Sequence, residues 1–161
     1  MERICVYPGS FDPITVGHMD LIRRACGMFD KVIVAVLHNP AKSGCFPTEK
    51  RMELIRKCCA NMPNVSVDSF DGLTVTYARQ VGACAMIRGL RAISDFEHEQ
   101  VLAQINHRMM PEVETVFLAC QPEHSIVSSS GVRELAAFGG SLKGYVPECI
   151  EDEIIAHFAQ K

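Results

Sequence analysis

The sequence lacks both an excess of charge of one sign and a long apolar segment. Its 16 basic and 19 acidic side chains give a formal net charge of −3 at pH 7, with no basic run to suggest a nucleic-acid or membrane surface. No stretch approaches the roughly 18 apolar residues of a membrane span, and charges at Glu2 and Arg3 argue against a signal peptide. We therefore expect a cytoplasmic protein with small-molecule partners, binding neither nucleic acid nor membrane.

The eight cysteines form no C-x-x-C pair, although Cys58 and Cys59 are adjacent. Without a secretion signal, such a set is typical of reduced thiols rather than of a disulfide framework. We predict no structural metal and assign no cysteine to a functional site.

Two common nucleotide-binding patterns are also absent. Neither G-x-x-x-x-G-K-[ST] nor a G-x-G-x-x-G after the first predicted strand occurs. Their absence excludes an ordinary P-loop enzyme and a typical dinucleotide oxidoreductase.

What the sequence does contain is a regular alternation of short β-branched runs and amphipathic stretches. We predict strands at 3–8, 31–37, 64–70, 83–88 and 115–120, and helices at 17–28, 48–61, 74–82, 92–109, 129–138 and from about 148. Strands that alternate with helices form a parallel sheet covered on both faces. The prediction is one α/β domain over 1–161, Rossmann-like and doubly wound, with a five-stranded parallel sheet in the order 3-2-1-4-5 and helices on both faces.

In such a fold, ligands bind beyond the carboxyl ends of the strands, where the order reverses between strands 1 and 4. Strand 1 leads into YPGSFDPITVGH, residues 7–18, whose small residues and helix start suit a phosphate cradle. Strand 4 leads into a predicted loop, residues 88–91, whose two arginines suit bidentate phosphate contacts. Taken alone, the first stretch is equally typical of a strand-to-helix turn and the second of a solvated turn.

Two short motifs at these places resemble the signatures of the nucleotidyltransferase superfamily. Residues 15–18, TVGH, resemble [HT]-x-G-H, and residues 127–133, VSSSGVR, resemble [IV]-S-S-[ST]-x-x-R. Over nearly its whole length, the sequence resembles the bacterial phosphopantetheine adenylyltransferases. The resemblance is carried by YPGSFDPIT.GH, NPAK, IRGLRAISDFEHE, MMPEVETVFL and SIVSSSGVRE. Either signature alone recurs by chance, whereas the two together, in order on this α/β pattern, are specific.

The resemblance implies reversible transfer of the adenylyl group of ATP to 4′-phosphopantetheine, giving dephospho-coenzyme A and pyrophosphate, the penultimate step of coenzyme A synthesis. A direct in-line displacement of this kind needs positioning and charge stabilisation rather than a protein nucleophile. The resemblance further implies a homohexamer, inhibition by coenzyme A, and Mg²⁺ that is carried with ATP and held mainly by phosphates.

The same resemblance assigns roles to individual residues. His18 would contact the α-phosphate, while Ser10, Lys42 and Arg88 would hold the acceptor phosphate. Arg91 and a run of serine hydroxyls would hold the ATP phosphates at a helix N-terminus. The implied catalytic residues are His18, Lys42, Arg88, Arg91 and Ser129. The implied ATP-binding residues are Ser10, Phe11, His18, Gly89, Leu90, Arg91, Glu99, His124, Ser125, Ile126, Val127, Ser128, Ser129 and Ser130. The implied acceptor-binding residues are Ser10, Lys42, Leu73, Thr74, Arg88 and Asn106, with Leu102 beside Asn106.

Structural roles compete with several of these assignments. A serine triplet before an apolar helical run is ordinarily an N-cap, and we expect Ser128 or Ser129 to serve as one. Asp95, Glu99 and Asn106 fall within about 40° of one another on the helix at 92–109, which makes a polar stripe that is ordinarily a wet face. Apolar residues occupy much of the remaining circumference of that helix and suggest subunit contacts.

Three other functions stay open: a non-catalytic adenine-nucleotide sensor, a fragment of a class I aminoacyl-tRNA synthetase, and a nucleotidyltransferase with nicotinamide mononucleotide or glycerol phosphate as acceptor. The serine triplet and the net charge argue against the synthetase. Residues 71–75, expected beside the first loop, offer a small apolar wall that suits a pantetheine arm better than a flat nicotinamide ring. His98 and His124 stand where the resembled family often has larger aromatic rings, so stacking on adenine is left open.

Overall fold

The computed structural model describes residues 2–38 and 44–160. Within them, the strands are β1 (Ile4–Gly9), β2 (Lys31–Leu37), β3 (Val65–Phe70), β4 (Ala85–Leu90) and β5 (Glu114–Ala119). The helices are α1 (Val16–Cys26), α2 (Thr48–Cys58), α3 (Thr74–Gln80), α4 (Ile93–Met109), α5 (Ser129–Ala137) and α6 (Glu148–Ala159), with a short 3-10 turn at Pro122–His124. All strands pair in parallel in the order β3-β2-β1-β4-β5, which confirms the predicted fold class and strand order.

The sheet is buried on both faces at its centre. In β2, whose sequence is KVIVAVL, the side chains from Val32 to Val36 are all buried, as expected for a central parallel strand. The larger apolar cluster lies on one face and includes Ile22, Leu54 and Ile150. The smaller cluster lies on the other face around Val6.

The two central strands separate before they end. Strand β1 pairs with β2 as far as Gly9, but it pairs with β4 only at Cys5 and Val6. Pro8 has no N–H to donate to a ladder, which fits the early end of that pairing. The gap that follows is the crevice that a doubly wound sheet forms where its strand order reverses.

The predicted loop at 88–91 is mostly strand, and that prediction was wrong. Arg88, Gly89 and Leu90 continue β4 because they pair with Phe117, Leu118 and Ala119 of β5, and Arg91 alone follows the strand. At Gly89 an added Cβ would lie 2.4 Å from a methyl group of Leu21, so any larger residue here would force the Leu21 side chain of α1 to move.

Other boundaries shift by a few residues. Helix α1 ends at Cys26 rather than 28, since Gly27 caps it, and α2 ends at Cys58 rather than 61. No disulfide joins any of the eight cysteines, all of which lie in the described residues. None of the helices described here combines the length and the apolar character that crossing a membrane requires.

Candidate active site

A cavity of about 740 Å³ lies where β1 and β4 separate. The predicted site residues on its wall are Ser10, Phe11, His18, Arg88, Gly89, Arg91, Glu99, His124, Val127, Ser128, Ser129 and Ser130. Those outside its wall are Leu73, Thr74, Leu90, Asn106, Ser125 and Ile126, together with Leu102. Lys42 lies outside the residues that the structure describes. The structure thus brings residues 15–18 and 88–91 to one cavity, as the strand order predicts, and residues 127–133, which the resemblance added, line the same cavity.

The residues outside the wall have different surroundings. Leu73 is exposed and Thr74 begins α3, and their predicted contact with the acceptor stays a prediction. Ser125 closes the 3-10 turn by donating its hydroxyl to the carbonyl of Pro122 at 2.8 Å. Ile126 is exposed and borders a separate apolar pocket of about 370 Å³.

The predicted catalytic and binding residues leave out several that line the cavity. They are Tyr7, Pro8, Gly9, Thr15, Gly17, Leu21, Ser94, Asp95, His98, Cys120 and Arg133. Gly9, Thr15, Gly17 and Arg133 stood within the quoted motifs, so the motifs themselves were the signal for them. Leu21 and Cys120 had no such signal, because tertiary packing alone brings them to the wall.

The loop after β1 turns sharply at Phe11. This residue has a φ of 46°, a left-handed conformation that costs a non-glycine residue on the order of 1 kcal/mol. Its ring is buried, with its centroid 5.2 Å from that of Tyr7 and 5.0 Å from that of His18. A Cβ at Gly9 would lie 3.0 Å from the same ring. Close packing of the ring therefore holds the turn in place.

His18 is fixed by the start of α1. The Thr15 side chain accepts a hydrogen bond from the His18 N–H at 3.3 Å, and the Thr15 N–H donates to Nδ1 of His18 at 3.0 Å. Because a backbone N–H can only donate, Nδ1 is an acceptor and the proton of the neutral ring is on Nε2. Burial, and secondarily the charge of Arg91, lower the pKa of His18 to about 4. His18 is thus a neutral donor at pH 7.

The start of α5 lies beside the loop after β1 and forms part of the same wall. Ser128 is the N-cap, since its hydroxyl accepts from the N–H of Gly131 at 3.0 Å, which confirms the predicted cap. Ser129 donates its hydroxyl to the carbonyl of Pro13 at 2.7 Å. The N-termini of α1 and α5 both reach the cavity, and helix N-termini favour bound anions.

Two residues predicted to bind ligand bind each other. Arg88 donates from Nε and Nη2 to the two carboxylate oxygens of Glu99 at 2.7 and 2.5 Å. Nη1 of Arg88 also reaches the carbonyl of Pro8 at 3.4 Å. A guanidinium carries five N–H donors, so this arrangement leaves Arg88 donors for a ligand while the carboxylate sets its orientation.

Arg91 stands at the junction of β4 and α4. Its backbone N–H and that of Ala92 donate to one carboxylate oxygen of Asp95 at 2.8 and 3.2 Å, which caps the helix. Its Nη1 lies 3.4 Å from the carbonyl of Val127, so its side chain bridges to the second signature.

The cavity can bind anions but offers no activated nucleophile among the described residues. Arg88, Arg91 and Arg133 outnumber the acidic residues on the wall, Asp95 and Glu99. Burial raises the pKa of the Cys120 thiol, which keeps it protonated and weakly nucleophilic. Within 2–38 and 44–160, no group of three or more potential ligands could hold a metal ion.

Comparison with known proteins gives consistent results. The sequence profile described as cytidylyltransferase-like matches residues 6–135. The chain is 49% identical to the phosphopantetheine adenylyltransferase of Caldanaerobacter subterraneus subsp. tengcongensis, over 97% of this chain and 98% of that protein. It is 52% identical to the phosphopantetheine adenylyltransferase of Synechocystis sp., over 96% of this chain and 98% of that protein.

Among solved structures, a chain from Vibrio parahaemolyticus that carries the name nicotinate-nucleotide adenylyltransferase is similar in fold. The TM-score is 0.70, with 15% sequence identity, over 96% of this chain and 99% of that chain. At this identity the likeness concerns the fold alone.

Proposed function

We propose that the chain transfers the adenylyl group of ATP to 4′-phosphopantetheine, because it belongs to the bacterial phosphopantetheine adenylyltransferases of the cytidylyltransferase-like family. The products are dephospho-coenzyme A and pyrophosphate, and the transfer is reversible. The observation that carries the proposal is identity of about one half over nearly the full length of relatives that bear this name.

The transfer is one in-line displacement. An oxygen of the acceptor phosphate attacks the α-phosphorus of ATP, the bond to the β-phosphate oxygen breaks, and pyrophosphate leaves with that oxygen. Charge accumulates on the oxygens of the α-phosphate in the transition state, and preorganised donors stabilise it. This chemistry needs no covalent nucleotidyl-enzyme, which suits a cavity without an activated nucleophile.

His18 supplies one such donor. With Nδ1 held by the N–H of Thr15, its Nε2–H donates to an oxygen of the α-phosphate. Since burial lowers the pKa of His18 to about 4, the ring is neutral at pH 7 before ATP binds. Its contribution is a fixed hydrogen bond rather than acid–base chemistry.

The two reacting phosphates bind next to each other in the crevice. Ser10 and Arg88 hold the acceptor phosphate, and Lys42 has the same predicted role outside the described residues. Arg91 and the N-terminus of α5 at Ser129 hold the phosphates of ATP. This division follows from the resemblance, and it is supported by the position of Ser10, Arg88, Arg91 and Ser129 on the wall of one cavity.

ATP enters with Mg²⁺ carried on its own phosphates. The acidic residues on the cavity wall do not fit a metal site, because Glu99 binds Arg88 and Asp95 caps α4.

A homohexamer, a cytoplasmic location and inhibition by coenzyme A complete the proposal. The assembly is supported by α4, none of whose residues is buried in the single chain. Coenzyme A carries the arm of one substrate and the adenylate of the other, so it would occupy both halves of the cavity and compete with phosphopantetheine.

The acceptor is tested by pyrophosphate release from ATP with 4′-phosphopantetheine, nicotinamide mononucleotide and glycerol 3-phosphate offered separately. We expect release with 4′-phosphopantetheine alone. Release only with one of the other two would replace the acceptor and leave adenylyl transfer in place. Release without any acceptor, at an equal rate, would contradict transfer to a phosphate acceptor.

A further inference from the structure

Arg51 is a buried charge that the proposed chemistry does not use. It lies in α2 with only 6% of its surface exposed. Its guanidinium donates from Nη1 to the carbonyl of Ser10 at 2.7 Å, from Nε to the carbonyl of Phe46 at 3.0 Å, and from Nη2 to the hydroxyl of Thr48 at 3.1 Å. All three acceptors are neutral, and no described carboxylate lies within 4.0 Å to form an ion pair with it.

Burying an arginine without a carboxylate partner is costly unless the geometry of its hydrogen bonds compensates. Here the planar fork of the guanidinium spans acceptors on two chain segments that are 36 residues apart, Ser10 and Phe46. A lysine could not donate in three fixed directions from one plane. The role that this geometry serves is the fixing of Ser10 relative to Phe46.

Asp12 also joins the loop after β1 to the segment at Phe46. Its carboxylate accepts from the N–H of Cys45 at 2.7 Å and from the N–H of Phe46 at 2.8 Å. An added Cβ at Gly44 would lie 3.0 Å from the same carboxylate, so the two segments approach as closely as a glycine permits. Asp12 and Arg51 thus bind the N–H and the carbonyl of one residue, Phe46.

Helix α5 holds the next carbonyls of the loop. Arg133 donates from Nη1 to the carbonyl of Asp12 at 2.6 Å, and the hydroxyl of Ser129 donates to the carbonyl of Pro13 at 2.7 Å. Between these anchored carbonyls and that of Ser10 lies Phe11 with its positive φ of 46°. The strained turn is therefore fixed by side-chain donors from α2 on one side and α5 on the other.

We propose that Arg51 is a positioning residue for adenylyl transfer, which orients the Ser10 peptide so that Ser10 meets the acceptor phosphate. The inference rests on the proposed function and adds a residue that does not line the cavity. Without the bond to its carbonyl, Ser10 and the turn at Phe11 can relax. A displacement of about 1 Å at a reacting group is enough to cost up to about 10²-fold in rate.

The test compares Arg51→Lys with a control on the same helix, Arg56→Lys. Arg56 is exposed and makes no hydrogen bond or ion pair with the described residues. For both variants, pyrophosphate release gives kcat and the KM of each substrate, and thermal unfolding gives Tm. We expect Arg51→Lys to lower kcat/KM for the acceptor by about 10- to 100-fold, with the KM for ATP changed by less than about twofold. Arg56→Lys should match the wild type.

A merely structural role for Arg51 gives a different result. In that case Arg51→Lys lowers Tm, while the folded fraction keeps wild-type kcat and KM, and this outcome overturns the proposal. Thr48→Val is the milder variant, since it removes one acceptor of the guanidinium. We expect a reduction of about threefold in the same kcat/KM. If Arg51→Lys does not fold, an unchanged kcat/KM in Thr48→Val overturns the proposal.

A second readout separates this inference from the proposed function. Calorimetric titration with inorganic phosphate reports the acceptor-phosphate site without turnover, and we expect Arg51→Lys to weaken that binding by about tenfold. If the wild type releases no pyrophosphate with 4′-phosphopantetheine but the variant still loses phosphate affinity, the function fails and the positioning role stands. If the wild type turns over 4′-phosphopantetheine but Arg51→Lys keeps wild-type phosphate affinity and kcat, the function stands and the positioning role fails.

Discussion

The two walls of the cavity are built differently. The first wall comprises the loop after β1 and the starts of α1 and α5, and its side chains bind main-chain atoms: Ser129 binds the carbonyl of Pro13, and His18 binds the N–H of Thr15. The second wall comprises the end of β4 and α4, where side chains bind each other as charges, above all Arg88 and Glu99. The first wall is held by packing and by hydrogen bonds to the main chain, whereas the second adds to such bonds an ion pair between Arg88 and Glu99.

The helices behind the two walls differ in the same way. Helix α1 buries Met19, Leu21, Ile22 and Ala25. Helix α4 buries none of its 17 residues, and Ile93, Val101 and Ile105 expose 82, 56 and 49% of their surface. Exposed apolar surface of this extent marks an interaction site. The first wall thus rests on a helix packed into the core, while the second rests on a helix with exposed apolar side chains, where the proposed homohexamer would have its contacts.

Loss of the fixed donor in the first wall has the largest expected effect. We expect His18→Ala to lower kcat by at least about 10²-fold and to leave the KM for ATP within about threefold, since the contact strengthens in the transition state. The measurement is steady-state pyrophosphate release, with His107→Ala on the exposed end of α4 as the control. A near-normal kcat in a folded His18→Ala variant would contradict the assigned role.

In the second wall, the carboxylate that orients Arg88 should matter less. We expect Glu99→Gln to raise the KM for the phosphopantetheine acceptor by about tenfold, because the neutral amide no longer accepts both guanidinium hydrogen bonds. Glu97→Gln, two residues earlier on α4 and exposed, is the matched control. An unchanged KM would mean that Arg88 does not need Glu99 to bind the acceptor.

The proposed subunit contact of α4 can be tested by replacing one of its exposed apolar residues with a charged one. We expect Ile105→Asp to shift the protein to smaller species, with an apparent dissociation constant at least severalfold higher, because a carboxylate would lose water at an apolar interface. Light scattering coupled to size exclusion measures the mass, and Gln104→Asp on the neighbouring exposed position is the control. The same mass for both variants and the wild type would show that this part of α4 lies outside any interface.

The smallest expected effect is on pH dependence. The pKa of His18 is about 4 in the folded chain, below its unfolded value of about 6.5. Between these values the unfolded chain binds more protons, so this group stabilises the fold fully above about pH 6.5 and loses its contribution as the pH falls toward 4. An NMR titration should show the ring neutral, with its proton on Nε2, at pH 6. A midpoint near 6.5 in the folded protein would contradict this burial.

Much of the candidate site could be predicted from the sequence, because its signals are local. The turn residues of 7–18 and the arginines of 88–91 are each contiguous, and the strand order of a doubly wound sheet brings them together. The serine triplet of 128–130 was predicted from the resemblance of its motif. The prediction failed at 88–90, where β-sheet pairing with β5 continues the strand through a glycine. Tertiary pairing overrides local turn preference at such a position.

The sequence by itself determined the alternation of strands and helices and the place of the cradle, because hydrophobic periodicity and short motifs are properties of neighbouring residues. The strand order followed from the doubly wound fold that this alternation indicates. Tertiary structure alone decided what the side chains of the site bind. Arg88 meets Glu99 eleven residues away, Arg51 meets Ser10 across 41 residues, and Arg133 meets Asp12 across 121. No local pattern carries these pairings, since each depends on how the folded helices α2, α4 and α5 approach the loop after β1 and the end of β4.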